Sequence, residues 1–313
     1  MITENLFCFP HPILYDTGVL RKEAKMAVGK GNIYTWFEGA WRDENTPIIR
    51  AADHVSWLGS QVFDGARAFE GVMPDLDLHC ARLIRSAEAM GMTPCTTGDE
   101  VAGLVREKVA QMDPQAQLYI RPMMWATESG AGVIDLDPTS SAFAICIEEM
   151  AMPGTEGFSL TVAPYRRPRQ DMALTEAKAG SLYANNGRIM AYARARGFSN
   201  ALSLDIDGNV AETASTNVFL VRDGVVFTPA PTGCFLNGLT RQRVIGLLRA
   251  DGIEVQETTL TVEDFRDANE IFATGNIAKV MPVSKLDDRE LGIGPISLRA
   301  RALYWEFAHS SAA

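Results

Sequence analysis

Ala201-Leu202-Ser203-Leu204-Asp205-Ile206-Asp207-Gly208-Asn209-Val210-Ala211-Glu212 reads as a strand, a tight turn and a returning strand. Ala201 to Asp205 alternates as a half-buried strand, Asp207-Gly208 makes the turn, and Asn209 to Glu212 comes back. The pattern recurs at once: Asn217 to Val221, Asp223-Gly224, then Val225 to Thr228. Asp-Gly tolerates the positive φ angles that a two-residue hairpin requires. Two hairpins in succession are foreign to the strand–helix alternation of a doubly wound sheet, so the chain reads as α+β.

Helices frame these hairpins. Ala184 to Arg196 precedes them, stopped by Gly197; Arg241 to Ala250 follows, stopped by Gly252; a last helix covers about Ser297 to Phe307. In the first half, Asn32 to Phe37 and Gly39 to Arg42 form a hairpin about Glu38-Gly39. Val62 to Phe69, Leu118 to Trp125 and Ser141 to Glu148 read as strands. His79 to Met90 and Val101 to Met112 carry apolar residues at helical spacing. Met152-Pro153-Gly154-Thr155-Glu156-Gly157 sets breakers on both sides of a charge and is the linker. The expected division is a small N-terminal α/β domain over 1–151, the linker over 152–157, and a larger C-terminal domain over 158–313.

A chain of 313 residues suggests two cores, and 47% hydrophobic with 22% charged residues is an ordinary globular balance. A net charge of −10 argues against a nucleic-acid partner. Arg166, Arg167 and Arg169 are local basic spots, open to reading as an anion site or as a solvated loop. Met1 to Pro10 has no signal-peptide stretch, and no run approaches the ~20 apolar residues of a membrane span, so a cytoplasmic protein is expected. Cys8, Cys80, Cys95, Cys146 and Cys234 are scattered without a CxxC spacing, so buried thiols are expected in place of zinc or redox chemistry. His11, His54, His79 and His309 show no HExxH spacing, and no metal is expected. Gly29-Lys30-Gly31 lacks the remainder of a P-loop, and neither GxGxxG after a strand nor GxSxG occurs.

Three islands could carry chemistry. Thr240 stands where a helix N-cap belongs, with Gly238 two residues earlier; a phosphate could accept bonds there, or the residue could be a plain cap worth ~1 kcal/mol. Lys178 lies among Ala177, Ala179 and Gly180, small neighbours that let a ring approach. Its amine, with an ordinary pKa of ~10.4, is a poor nucleophile unless burial or neighbours lower that value. Glu212 sits at a strand end among Thr213, Ser215, Thr216 and Asn217. If Lys178 holds pyridoxal phosphate, a carboxylate such as Glu212 keeps the ring nitrogen protonated, so that the ring can accept electrons.

Val62-Phe63-Asp64-Gly65-Ala66-Arg67, His79-Cys80-Ala81-Arg82-Leu83, Tyr119-Ile120-Arg121-Pro122, Glu176-Ala177-Lys178-Ala179, Glu212 with Asn217, and Leu239-Thr240-Arg241 occur in one order. In these the chain resembles the fold-type IV pyridoxal-phosphate aminotransferases, most closely branched-chain aminotransferases, from about Ile33 to Phe307. The resemblance implies a two-domain α+β fold whose larger domain carries a barrel-like sheet. It implies Lys178 as the lysine that holds the cofactor and moves a proton between the substrate α-carbon and cofactor C4′. Glu212 would pair with the ring nitrogen, Tyr183 with the ring oxygen, and Leu236 would press on the ring face. Arg82, Leu239 and Thr240 would hold the phosphate, with Asn276 at the turn beside them. Leu58, Phe63, Arg67, Tyr119, Arg121 and Ile277 would line the substrate side. A homodimer is implied; Trp125 and Gly130-Ala131-Gly132, within 125–135, read equally as a lid over the site or as an ordinary surface loop.

Two positions depart from the family pattern. Leu58 stands where a tyrosine is usual, and Gly275-Asn276-Ile277 replaces a Gly-Thr-Ala turn. Leu58 removes a hydroxyl, and Ile277 puts a branched side chain where a carboxylate would approach the backbone; one lost bond to a charged group is worth roughly 1.5–3 kcal/mol. The implied reaction is ping-pong transfer between a branched-chain amino acid and an α-keto acid such as 2-oxoglutarate. An (R)-selective amine:pyruvate transaminase is the second reading, since its donors lack a carboxylate, and an aminodeoxychorismate lyase-type enzyme is the third.

Overall fold

Two β-sheets divide the chain in the computed structural model, which describes residues 31–310. The readings of Met1 to Pro10, Cys8, His11 and Gly29-Lys30 lie outside the described residues.

The first sheet comprises β1 (Ile33–Phe37), β2 (Ala40–Arg42), β3 (Gln61–Phe63), β4 (Ala66–Ala68), β5 (Leu118–Ala126) and β6 (Ser141–Glu149). All its pairings are antiparallel, in the order β2-β1-β6-β5-β3, with β4 also on β5. The short helix α1 (His54–Leu58) leads into β3. Two longer helices, α2 (Leu76–Ala89) and α3 (Gly98–Val109), cover one face. Leu76, Cys80, Val101 and Val105 meet Ile120, Ile145 and Ile147 there. Each fully buried aliphatic side chain contributes on the order of 1.5–3 kcal/mol. Both helices start one turn earlier than their apolar periodicity suggests. For α3 the cause is a reciprocal cap: Thr97 accepts from the Glu100 N–H, and the Glu100 carboxylate accepts from the Thr97 N–H.

The expected strand over Val62 to Phe69 is two strands broken at Asp64-Gly65. The Asp64 side chain turns inward to accept from the Gly65 N–H, His79 and Arg82, and the backbone bends to allow it. Trp125 does not belong to a lid. It is fully buried on β5, 6.0 Å from Phe37 and packed with Val55 and Ala144. The exposed part of that region is 131–135, with Val133 and Ile134 as its large apolar side chains.

The second sheet has nine strands: β7 (Phe158–Arg166), β8 (Asn200–Leu204), β9 (Val210–Thr213), β10 (Asn217–Arg222), β11 (Val225–Pro229), β12 (Val255–Thr258), β13 (Glu270–Gly275), β14 (Lys279–Leu286) and β15 (Arg289–Glu290). It is mixed, runs β12-β11-β10-β13-β14-β7-β8-β9, and curls into a half-barrel. Both Asp-Gly turns form, with Asp223 at φ 53° and Gly224 at 81°. Four helices accompany it: α4 (Tyr183–Arg194), α5 (Leu239–Ala250), α6 (Val262–Arg266) and α7 (Pro295–Ser310). One core packs α5 and α7 on the sheet through Val244, Leu248 and Tyr304; a second gathers Leu160, Leu202, Leu220, Phe265 and Val283. β8 is buried along its whole length, not on alternate residues, because α4 covers one face and the second core the other.

The two sheets are stitched together at Lys178. The Phe63 N–H donates to the Lys178 carbonyl at 3.1 Å, the Lys178 N–H donates to Ser86 Oγ at 3.1 Å, and Val62 bridges Ala179. A 3₁₀ turn over Gly180–Leu182 then feeds α4, so that helix begins a residue earlier than expected. Among the described residues no helix is long and apolar enough to cross a membrane.

Candidate active site

The seam between the sheets opens into a cleft. Lys178, Arg82, Tyr183, Glu212, Leu236, Leu239, Thr240 and Asn276 all line it. They come from α2, the segment before α4, β9, the loop into α5, and the turn after β13.

Lys178 Nζ lies 5.2 Å from the Phe63 ring centroid and 5.8 Å from that of Tyr183, and these two rings meet edge to face at 4.9 Å. Burial disfavours its charge, yet the Tyr183 oxygen beside it tips the balance, and the ammonium stays above its ordinary value.

Glu212 projects from β9, and its carboxylate is buried. Arg167 Nη2 approaches Oε1 at 3.0 Å and Asn217 Nδ2 donates to Oε2 at 3.4 Å. Burial pushes the Glu212 carboxyl up to about 7, against the pull of Arg167 and Lys178. Arg167 is thus no solvated loop residue: it is buried and also donates to Asn186 at 2.5 Å and to the Cys234 carbonyl. Arg169, by contrast, is exposed and paired with Asp171.

Donors around the start of α5 also line the cleft. α5 begins at Leu239 with Gly238 as its N-cap, so Thr240 is the second helical residue and not the cap. The loop into α5 is drawn onto Asn217, which accepts from the Gly238 N–H at 3.2 Å and donates to the Leu236 carbonyl at 3.0 Å. No side chain caps the helix, so its first-turn N–H groups are available to an anion. Arg82 faces them. Its Nε and Nη2 donate to the two oxygens of Asp64 at 2.6 and 2.9 Å, while Nη1 is buried without a partner. Thr274 Oγ1 and Asn276 Nδ2 are likewise buried and unpartnered. Orphaned donors, a buried carboxylate and a lysine that line one cleft fit a phosphorylated pyridine aldehyde.

The six residues expected on the substrate side do not line this cleft. Phe63 abuts it through Lys178 and Tyr183. The Tyr119 hydroxyl comes close to Gly65, alongside Asn276. Arg121 donates to Glu148 at 2.8 Å and lies over the Tyr119 ring at 5.0 Å. Leu58 ends α1, half-buried, and Ile277 is exposed. Arg67 is turned away altogether: it is fully buried, donating to the Met150 carbonyl at 2.6 Å and touching Met152 Sδ.

Asp64, His79 and Asn217, to which sequence reasoning assigned no role, and Arg167, read there as an anion site or a solvated loop, complete the site. One signal was available: His79 and Arg82 are three apart on α2, so two donors share a face and require an acid opposite. Cys80 and Cys234 are buried as expected, whereas Cys95 is exposed. Among the described residues no cluster of His, Cys, Asp or Glu could hold a metal ion.

Residues 61–286 match the family model for amino-transferase class IV. The branched-chain-amino-acid aminotransferase of Escherichia coli K12 is 30% identical over 287 residues, covering 87% of this chain and 92% of that protein. Among solved structures, an aminotransferase from Brucella abortus bound to the cofactor PLP is 50% identical, with a TM-score of 0.88 over 89% of this chain and 99% of that one. A branched-chain aminotransferase from Thermoproteus uzoniensis with norvaline is 30% identical, with a TM-score of 0.81 over 89% and 96%.

Proposed function

The chain belongs to the class IV aminotransferases, transaminases that use pyridoxal phosphate, and from that premise we propose that it moves amino groups between branched-chain amino acids and α-keto acids. The observation that carries this reading is the cleft itself, which Lys178, a buried Glu212 and Arg82 with its unpartnered Nη1 line together. The substrate class follows the branched-chain relatives at about 30% identity.

Pyridoxal phosphate, when bound, supplies a carbonyl that takes up amino groups and a ring that accepts electrons. The other tasks fall to this chain. Arg82 Nη1 and the first amides of α5 hold the phosphate, and Asp64 keeps the guanidinium in place. Glu212 holds a proton on the ring nitrogen; Arg167 and Asn217 fix the orientation of its carboxylate. Leu236, which lines the cleft, would pack against the cofactor ring. Lys178 Nζ moves the proton at the substrate α-carbon, with the Tyr183 ring beside it. Phe63 and Tyr119 face the substrate.

We read residues 1–151 as a small domain, 152–157 as the linker and 158–313 as the larger domain. We also read the protein as a cytoplasmic homodimer; exposed Trp57 and Ile134 support a second copy covering that side.

A second reading, an (R)-amine:pyruvate transaminase, is favoured by one observation: Glu148 neutralises Arg121. Purified holoenzyme is mixed with L-leucine and, separately, with (R)-1-phenylethylamine, and the visible absorbance of the bound cofactor is followed. Bleaching by leucine supports the branched-chain assignment. Bleaching by the amine alone replaces it with the second reading.

A further inference from the structure

Lys279 has no part in the chemistry above, yet its placement is costly. It opens β14 at φ 59°, a conformation unfavourable for a side chain with Cβ, and it is fully buried. Among the described residues it makes no ion pair, and its hydrogen bond is to Asn276 Oδ1 at 2.7 Å. Asp75, Asp64 and Arg67 contribute to its field, and the Tyr304 ring lies 5.6 Å away. Burial drives the ammonium down to about 7.

Lys279 Nζ donates to Asn276 Oδ1, and that bond turns the amide so that its oxygen faces Lys279 and its NH₂ faces away. That NH₂ is the buried, unpartnered nitrogen in the cleft wall. The Tyr119 hydroxyl converges on the same spot. A Cβ added to Gly65 would lie 2.7 Å from Tyr119 Oη and 3.2 Å from Asn276 Nδ2, so the missing side chain leaves room between two donors.

We infer that Lys279 is a positioning residue that locks the Asn276 amide with its N–H groups toward an anionic oxygen of the bound ligands. The nearness of Tyr119 and Gly65, from the first sheet, favours the substrate carboxylate as its source over the cofactor phosphate. This inference rests on the class IV reading of the site.

Four forms are compared: wild type, Lys279→Met, Asn276→Ala and the double variant, each checked for folding by circular dichroism. Holoenzyme is titrated with 4-methylvalerate, a branched carboxylate with no amine to react. Apo-protein is titrated with pyridoxal phosphate and with pyridoxal, which lacks the phosphate. Each single variant is expected to weaken 4-methylvalerate binding by ~10-fold or more. The double variant should bind no more weakly than Asn276→Ala alone, because Lys279 acts through that amide. Lys279→Gln, which keeps a donor for Asn276 Oδ1, should restore binding.

Weakened pyridoxal phosphate with unchanged pyridoxal and 4-methylvalerate would uphold the positioning and assign the oxygen to the phosphate. Additive losses in the double variant, or unchanged affinities in Lys279→Met, would overturn it. A wild-type protein that takes up no pyridoxal phosphate would instead overturn the reading on which the inference rests.

Discussion

Asp64 grips Arg82 through Nε at 2.6 Å and Nη2 at 2.9 Å, leaving Nη1 as the nitrogen without a partner. The orientation of the guanidinium is thus set before any ligand arrives. Asp64 is fully buried, and burial alone would raise its carboxyl. Arg82 and His79, whose Nδ1 lies 2.7 Å away, more than offset that and hold it far below the usual carboxylate range.

Asp64→Ala leaves the buried Arg82 and His79 without their acid. Breaking a buried ion pair from one side costs roughly 3–5 kcal/mol. A loss of that size should appear in urea denaturation of the apo-protein, together with weaker uptake of pyridoxal phosphate. Unchanged stability would mean that Asp64 is not the anchor of Arg82.

Glu212→Gln keeps the shape of the side chain but not its charge. The ring nitrogen would lose the anion that keeps it protonated, and Arg167 would lose its buried partner. Turnover should fall by ~10²-fold or more, while the cofactor still binds through its phosphate end. A kcat within a factor of a few of wild type would remove Glu212 from the chemistry.

The sequence disclosed the parts of this site that are ordered along the chain, and concealed those that depend on long-range packing. Lys178, Glu212 and the Gly238-to-Thr240 loop stand out because each sits beside small or turn-forming residues. Both Asp-Gly hairpins were legible for the same local reason. Asp64, Arg167 and Lys279 were not, since a charged residue looks solvated until the fold buries it. Asp64 also broke the strand expected over Val62 to Phe69, because three donors drew its side chain inward. Trp125 misled in the opposite sense: an aromatic next to a glycine-rich loop looked like a lid, yet its strand is central and both faces are covered. Thr240 shows a finer limit, as Gly238 rather than a hydroxyl residue starts the helix, which leaves the amides of α5 open.

Gly65→Ala places a methyl group against the Tyr119 hydroxyl and the Asn276 amide. Neither neighbour can retreat freely, since Tyr119 is buried and Asn276 is tied to Lys279. Overpacking of this kind costs ~1–3 kcal/mol. The effect should fall on KM for the amino donor, with pyridoxal phosphate affinity nearly unchanged. Steady-state kinetics across donor concentrations would show the split, and an unaltered KM would count against a substrate seat at Gly65.

Arg121 is held by Glu148 and by the Tyr119 ring. Glu148→Gln releases its charge toward substrates that bring a second carboxylate. The ratio of kcat/KM for 2-oxoglutarate over a monocarboxylic keto acid should rise ~10-fold, the size of one hydrogen bond to a charged group. A ratio that falls or holds would place Arg121 outside the substrate's reach.

Lys279 also makes a prediction about pH. Its ammonium titrates near about 7 in the folded protein, against 10.5 as its ordinary value. Between these two values the unfolded chain holds the proton and the folded chain has released it. Stability therefore rises with pH across that window, by at most ~1.4 kcal/mol per unit from this group. Below about pH 7 both states are protonated, and the cost of the buried charge is felt in full. Glu212 works with the reverse sign: raised from 4.5 to about 7, it binds its proton more tightly when folded, so its contribution declines as pH rises through that interval. The two contributions together place a minimum in apo-protein stability near neutrality. Urea denaturation in steps from pH 5 to 10 should trace that minimum. Lys279→Met should flatten the alkaline limb and Glu212→Gln the acid limb, each leaving the other in place. Curves that keep both limbs in both variants would show that neither group is buried in the charge state described.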